Sequence, residues 1–366
     1  MCVGAILKLV WGILPTPVRK GDADEGAEVS RQPGWRDEAA AALTARHLEA
    51  RGAEGPARVF LDPLPDVPVA MARLGLEATV WHRRALGGVT ASAWPGEGPC
   101  RTVAVRLPRA KEELDMTLHA SAGVLEDGGR LLVYGAGDEG AGSAGRRLSR
   151  LFQTVRTLAT GGRCRLVEAR DLRPEAVVRP TLRAWRESFD LPLPELSRPW
   201  VSYPGVFAHG RLDEGSALLA ECLPRVADGA RVLDFGCGHG VLGGLVAARG
   251  REVSVDLLDA DAIALEAARE NVPEVEPLLG DGWTAVRGRS YDLVVSNPPY
   301  HVGKAESLGV LEALVRGCVA HLNPGGGLVM VLQRRIAVQS LLEGTFSRVD
   351  TLGDRGPHRV WRGRVA

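Results

Sequence analysis

Along residues 196–366 the apolar positions switch repeatedly between two periods. Short unbroken apolar blocks mark buried strands, and blocks recurring every three to four positions mark helices. "ARVLDFGCGHG" (230–240) predicts a strand entering a glycine-rich turn, and "VLGGLVAARG" (241–250) a helix stopped by Gly250. "REVSVDLLD" (251–259) is a second strand and "ADAIALEAAREN" (260–271) a second helix. "YDLVVSNPPY" (291–300) is a strand, "SLGVLEALVRGCVAHLNPGG" (307–326) a helix with a Pro-Gly stop, and "GLVMVLQ" (327–333) another strand. The stretch "SRVDTLGDRGPHRVWRGRVA" (347–366) predicts two strands joined through Gly356-Pro357. Such alternation predicts an α/β fold, a parallel sheet with helices on both faces.

The same rhythm runs in worn form ahead of a proline-dense segment, 172–206. "ARVFLDPLPDVPVAMARLG" (57–75) stands where "ARVLDFGCGHGVLGGLVAARG" stands later. In place of the glycine turn the first copy has Asp62-Pro63-Leu64-Pro65, and in place of Asn-Pro-Pro-Tyr it has Arg106-Leu107-Pro108-Arg109. The order of strand, lost motif, helix, glycine stop and strand is kept, which predicts a duplication. Two Rossmann-like domains follow, 1–195 and 196–366, with the boundary near Glu195. A helix is expected over "AGRRLSRLFQTVRTLA" (144–159), inside a stretch rich in arginine.

Composition narrows the function only a little. The chain has 366 residues, with Lys plus Arg and Asp plus Glu balanced at 45 each, which argues against a strongly basic, nonspecific nucleic-acid binder. A local basic face remains, formed by Arg146, Arg147, Arg150, Arg156, Arg163, Arg165, Arg170 and Arg173, and it suits phosphate. The six cysteines lack metal-ligand or disulfide-framework spacing, so reduced thiols, no metal and a cytoplasmic location are expected. The apolar N-terminal stretch carries Lys8 and stops at Pro15, too short to span a membrane. A docking helix or a disordered extension is expected there.

Four positions carry candidate chemistry. Asp234, Gly236, Gly238 and Gly240 close the first strand of the second half, where glycines let backbone approach a ligand and aim helix N–H groups at it. Asp259 ends the second strand, about twenty residues beyond the glycine turn, where an acid suits two vicinal ribose hydroxyls. Asp281 follows the third strand in "LLGDGW", placed to accept from an adenine amino group, with Gly282 and Trp283 flanking the ring. Asn297-Pro298-Pro299-Tyr300 follows the fourth. Two adjacent prolines neither extend a ladder nor begin a helix comfortably, so they fix a rigid corner.

This combination resembles the class I S-adenosylmethionine-dependent methyltransferases, and N-P-P-[FY] their members that methylate planar exocyclic or amide nitrogens. "PGVF", then "LDEGSALL" (212–219), together with N-P-P-Y-H-V-G, is similar to the bacterial ribosomal RNA guanine-N2 methyltransferases of the small-subunit 16S type. The resemblance implies two tandem methyltransferase-like domains, the N-terminal one degenerate, with RNA binding as a candidate role, and the C-terminal one catalytic. It implies that Asp234, Gly236, Gly238, Asp259 and Asp281 bind S-adenosylmethionine. Asn297, Pro298, Pro299 and Tyr300 would hold the guanine. The Asn297 side-chain oxygen and the Pro298 carbonyl would each accept one amine N–H, and Tyr300 would stack on the base. Phe207, Asp213 and Ser216 would line the entrance, and His301 would orient the loop. Ribosomal RNA or the small subunit is the expected partner, with no membrane and a monomeric chain. Large-subunit RNA and a protein glutamine are the alternative substrates. The second fits less well, because that family carries a helical N-terminal domain and the first half here is strand-rich.

Overall fold

A computed structural model describes residues 33–85, 91–298 and 306–366, with the side chains of 306–308 left aside. The N-terminal stretch and Pro299, Tyr300, His301 and Gly303 lie outside the described residues. The chain forms two compact units that divide between Arg186 and Glu187. Glu195, where the sequence places the boundary, lies in the second unit and pairs with Arg249 at 2.8 Å.

The second unit opens with a small antiparallel pair, β7 (Glu187–Phe189) and β8 (Trp200–Ser202), followed by α5 (Glu214–Cys222). Next come β9 (Arg231–Phe235), α6 (Val241–Arg249), β10 (Ser254–Asp259), α7 (Ala262–Asn271), β11 (Leu278–Leu279) and β12 (Tyr291–Ser296). Then follow α8 (Glu306–Val319), β13 (Leu322–Gln333), α9 (Gln339–Glu343), β14 (Arg348–Arg355) and β15 (His358–Arg364). The seven-stranded sheet has the order β11-β10-β9-β12-β13-β15-β14. Its first five strands are parallel, β15 runs antiparallel between β13 and β14, and β14 thereby returns to the sense of the first five. The expected order of elements is present. One detail differs: "LNPGG" begins β13 instead of ending the preceding helix, since α8 stops at Val319.

Central strands alternate between two apolar layers. Val232, Leu257, Val295 and Val331 belong to one, and Leu233, Leu258, Val294 and Leu328 to the other. Each such fully buried side chain contributes about 1.5–3 kcal/mol by leaving water. That is why these strands read as nearly continuous apolar runs.

The first unit holds α1 (Trp35–Arg51), β1 (Ala57–Phe60), α2 (Asp66–Arg73), β2 (Ala78–Trp81), β3 (Cys100–Arg106), α3 (Lys111–Val124), β4 (Leu125–Ala136), α4 (Ala141–Leu151), β5 (Phe152–Gly161) and β6 (Cys164–Leu172). Its sheet order is β2-β1-β3-β4-β6-β5. Strand for strand this matches β10-β9-β12-β13-β15-β14, including the parallel and antiparallel senses. The two units therefore share one topology, as a duplication requires. The helix expected over 144–159 is corrected: α4 ends at Leu151, and Phe152 onward is strand β5. "FQTVRTLATG" is rich in Thr and Val, which suit a pleated strand, and it pairs along β6.

The carboxyl ends of the first unit's inner strands β1 and β3 are closed on themselves. Leu61 adopts φ +61° where the second unit has its glycine turn, and Asp62 is fully buried. Asp62 accepts from the Tyr134 hydroxyl at 2.5 Å and from the Leu64 N–H at 3.0 Å. At the end of β3, buried Arg106 donates to Asp37 (2.9 Å), Glu139 (2.7 Å) and the Leu107 carbonyl (3.0 Å). The carboxylates and the two terminal guanidinium nitrogens here are spent on one another, while the buried Arg106 Nε has no hydrogen-bond partner among the described residues.

Candidate active site

The carboxyl ends of β11, β10, β9 and β12 lie side by side in the sheet, and the expected site residues fall on them. Asp234 is in β9, Asp259 ends β10, Asp281 lies just past β11, and Asn297 follows β12. Val295 is in register with Asp234, which sets Asn297 just beyond the mouth of β9. From β9 the sheet grows one way through β10 and the other way through β12. A crevice at such a reversal is where open α/β sheets take ligands.

The turn after β9 is built for close approach. Gly236, Gly238 and Gly240 have φ of 72°, 54° and 87°, a region costly for side-chain-bearing residues. A Cβ placed on Gly236 or Gly238 would meet none of the described residues within 4 Å, so these two offer bare backbone for a ligand to approach. Asp234 is completely buried, and its Oδ2 accepts from the Gly243 N–H at 2.8 Å, fastening the turn to the start of α6. Its Oδ1 is buried without a hydrogen-bond partner among the described residues. Burial pushes the Asp234 pKa up to about 7, with the Gly243 N–H pulling it down and Asp259 pushing it further up. Asp234 thus shapes the turn from below. Asp259 accepts from the Gly238 N–H at 2.7 Å and the Asp261 N–H at 2.8 Å, joining the turn to the end of β10.

A second group of side chains clamps the turn from behind, and of these the sequence singled out none as a site residue. The His239 carbonyl accepts from Asn271 Nδ2 at 2.9 Å and from the Trp200 indole at 3.2 Å. That indole also donates to His239 Nδ1 at 3.0 Å. Burial lowers the His239 pKa to about 4, which keeps the ring neutral and Nδ1 an acceptor. Asn271 bonds both the N–H and the carbonyl of Val201, at 2.7 and 2.8 Å. An asparagine ending an apolar helix carries no such signal in sequence.

Asn297 is held by two residues that the resemblance placed at the entrance. Its Nδ2 donates to Asp213 Oδ2 at 3.0 Å and to Ser216 Oγ at 2.9 Å. Asp213 is also the N-cap of α5, accepting from the Ser216 N–H at 3.0 Å. Between them Gly215 lets α5 close in: a Cβ there would lie 3.0 Å from Asp213 Oδ2 and 3.3 Å from the His358 ring. The D-x-G-S spacing thereby acquires a physical reason. An ionised carboxylate only accepts, so it fixes which end of the amide faces it. The Asn297 side-chain oxygen is left as the acceptor pointing elsewhere. Ser296 Oγ donates to the Phe235 carbonyl at 2.7 Å, tying the end of β12 to the end of β9.

Phe207 is 52 % exposed on the segment that precedes α5. Trp283, expected beside the ligand, is a packing residue instead. It lies between Phe235 (4.7 Å) and His321 (4.8 Å, stacked), and its indole N–H donates to the Ala313 carbonyl at 3.1 Å. Asp281 and Pro298 are described at the crevice-side ends of their strands, whereas Pro299, Tyr300 and His301 lie outside the described residues.

Asp213→Asn should slow turnover about tenfold while leaving cofactor binding unchanged, because an amide facing Asn297 no longer dictates its orientation. Single-turnover rates and cofactor titration of the variant check this. An unchanged rate would remove Asp213 as the residue that orients Asn297.

Family models match both units: "Methyltransferase small domain" over residues 199–362 and "Methyltransferase small domain N-terminal" over 84–189. The chain is 33 % identical over 317 residues to the ribosomal RNA small subunit methyltransferase C of Stutzerimonas stutzeri (strain A1501), covering 83 % of this chain and 94 % of that one. It is 37 % identical over 261 residues to the protein of the same name from Pseudomonas entomophila (strain L48), covering 70 % and 76 %. Among solved structures, a T. thermophilus 16S rRNA N2-guanine methyltransferase in complex with AdoMet and guanosine matches with a TM-score of 0.75 over 94 % of both chains, at 22 % identity. That last likeness establishes the fold across both units, and the identities establish the lineage: the chain belongs to the ribosomal RNA small subunit methyltransferase C family.

Proposed function

We propose that the second unit, residues 187–366, transfers a methyl group from S-adenosylmethionine to the exocyclic 2-amino group of a guanine in 16S ribosomal RNA. The observation that carries this reading is the fixed amide of Asn297, held by Asp213 and Ser216 so that an acceptor oxygen remains for substrate. The residues present fit the cofactor. Bare backbone at Gly236 and Gly238 suits its amino-acid end, Asp259 the ribose and Asp281 the adenine. S-adenosylmethionine supplies a methyl group on a positively charged sulfur.

The 2-amino group of guanine is a poor nucleophile, because its lone pair is delocalised into the ring. Two acceptors, the Asn297 side-chain oxygen and the Pro298 carbonyl, engage its two N–H bonds and favour the nitrogen as positive charge develops on it. The Asn297 amide is held by Asp213 and Ser216 ahead of substrate, so it needs little reorganisation. Tyr300 gives the base a stacking face, and His301 orients the loop. Phe207 lines the entrance. No general base is required ahead of transfer, since the amine proton can leave to water afterwards.

The first unit takes no cofactor in this scheme and serves RNA recognition. The protein acts as a monomer in the cytoplasm, where ribosomal RNA is assembled. Labelled methyl transfer to unmodified 16S rRNA and to isolated small subunits, followed by nucleoside mass spectrometry, tests the reading. The expected product is N2-methylguanosine at one position. Label found only in protein glutamine, or only in large-subunit RNA, would overturn it.

A further inference from the structure

We infer that a pocket on the first unit, walled by Arg147, Arg150 and Arg179, binds a backbone phosphate of the RNA substrate. This rests on the reading of the chain as an RNA methyltransferase. The pocket, about 300 Å³, lies between α3, α4 and the segment that follows β6.

Arg179 is exposed, yet its backbone is tied down from several sides. Its N–H donates to His119 Nδ1 at 3.1 Å, and its carbonyl accepts from the Trp185 indole at 3.3 Å. The carbonyl of the next residue, Pro180, accepts from the Trp94 indole at 2.8 Å. Pro180 also packs on α3 so closely that a Cβ at Gly123 would come within 2.8 Å of its own. Two tryptophans and a histidine thus fix the course of an exposed loop at one arginine. The Arg179 guanidinium lies over the Trp185 ring, 4.9 Å from its centre, and the edge-on His119 ring lies 5.1 Å from that indole.

Charge in the pocket is one-sided. Its only carboxylate among the lining residues is Asp115, which pairs with Arg147. Arg150 and Arg179 have no carboxylate partner among the described residues. His119 adds no charge, because its Nδ1 is used as an acceptor. A cation stacked on an indole keeps its planar N–H edge directed outward, already ordered for a phosphate. Val177, 81 % exposed at the rim, offers an apolar contact of the kind a ribose provides and an inorganic anion does not.

The test is the Arg150→Gln, Arg179→Gln double variant, with binding to an unmodified 16S rRNA fragment followed by fluorescence anisotropy across a range of salt. RNA affinity should fall about tenfold, and the slope of log affinity against log salt should shrink by roughly 1.4, two contacts at about 0.7 each. The turnover rate at saturating RNA and the cofactor affinity should stay at wild-type values, which also reports an intact fold. Arg146→Gln, on the same helix but outside the pocket, should change the slope little. A double variant with wild-type affinity and slope overturns the inference. So does an equal loss in Arg146→Gln, which would mean diffuse attraction, or displacement of an acidic peptide in place of RNA as the only effect. Binding is read without turnover, so a wild-type protein that binds RNA but transfers no methyl to it would sink the proposed reaction and leave the pocket standing.

Discussion

Asn297→Ala should bind cofactor within a few-fold of wild type and transfer methyl groups some hundred- to a thousand-fold more slowly. Beyond its hold on Asp213 and Ser216, the side chain is proposed to touch the amine that receives the methyl and no part of the cofactor. Removing it deletes an acceptor aligned with charge developing in the transition state, a loss of about 3–4 kcal/mol by analogy with a missing oxyanion-hole donor. Asn297→Asp separates geometry from charge. Its carboxylate would face Asp213, accepting where an N–H once donated, so two acids would meet at the 3.0 Å that now separates amide from carboxylate. That repulsion predicts a displaced side chain and a rate nearer the alanine variant than the wild type. Single-turnover transfer with saturating cofactor measures both. Wild-type rates in Asn297→Ala would end the role assigned to this residue.

Asp259→Ala should weaken cofactor binding by about ten- to a hundredfold, with kcat at saturating cofactor close to wild type. Ribose lies far from the transferred group, so ground and transition states lose the same contact. The variant also removes an acceptor for the Gly238 and Asp261 N–H groups, which loosens the turn. Asp259→Asn keeps one acceptor oxygen and should fall in between. Calorimetry should return one cofactor per chain for the wild-type protein. Two per chain would overturn the view that the first unit binds none, and an unchanged affinity in Asp259→Ala would remove it as the ribose ligand.

The parallel sheet of the second unit was legible because its strands are buried on both faces and therefore read as apolar runs. The positions of the candidate acids and Asn297 were legible because each closes an apolar run, with glycine or proline beside Asp234, Asp281 and Asn297 and a second acid, Asp261, beyond Asp259. β5 was missed for the opposite reason. It is an edge strand with most of its side chains in water, so no apolar run marks it, and it follows α4 without a breaker. The link between Asn297 and Asp213 joins positions 84 apart in the chain, and a single sequence carries no trace of such a pairing. Asn271 and Trp200 were hidden likewise: their purpose is a carbonyl at His239, and backbone groups have no letter in the sequence. Trp283 misled because it stands two positions beyond Asp281, yet the chain turns at Gly282 (φ 91°) into a short helical turn that packs the indole against Phe235 and His321.

The place of β15 in the second sheet has a consequence for how the protein is made. This strand is synthesised after β14 but lies inside it, paired to β13 on one side and β14 on the other. The first sheet can close once β6 has emerged, since all its strands precede residue 173. The second sheet cannot close until residues 358–364 are available, and until then β14 has no partner and β13 shows a bare edge. Translation that stalls in the last few codons before that strand would thus release not a slightly shortened enzyme but a folded first half trailing an aggregation-prone second one.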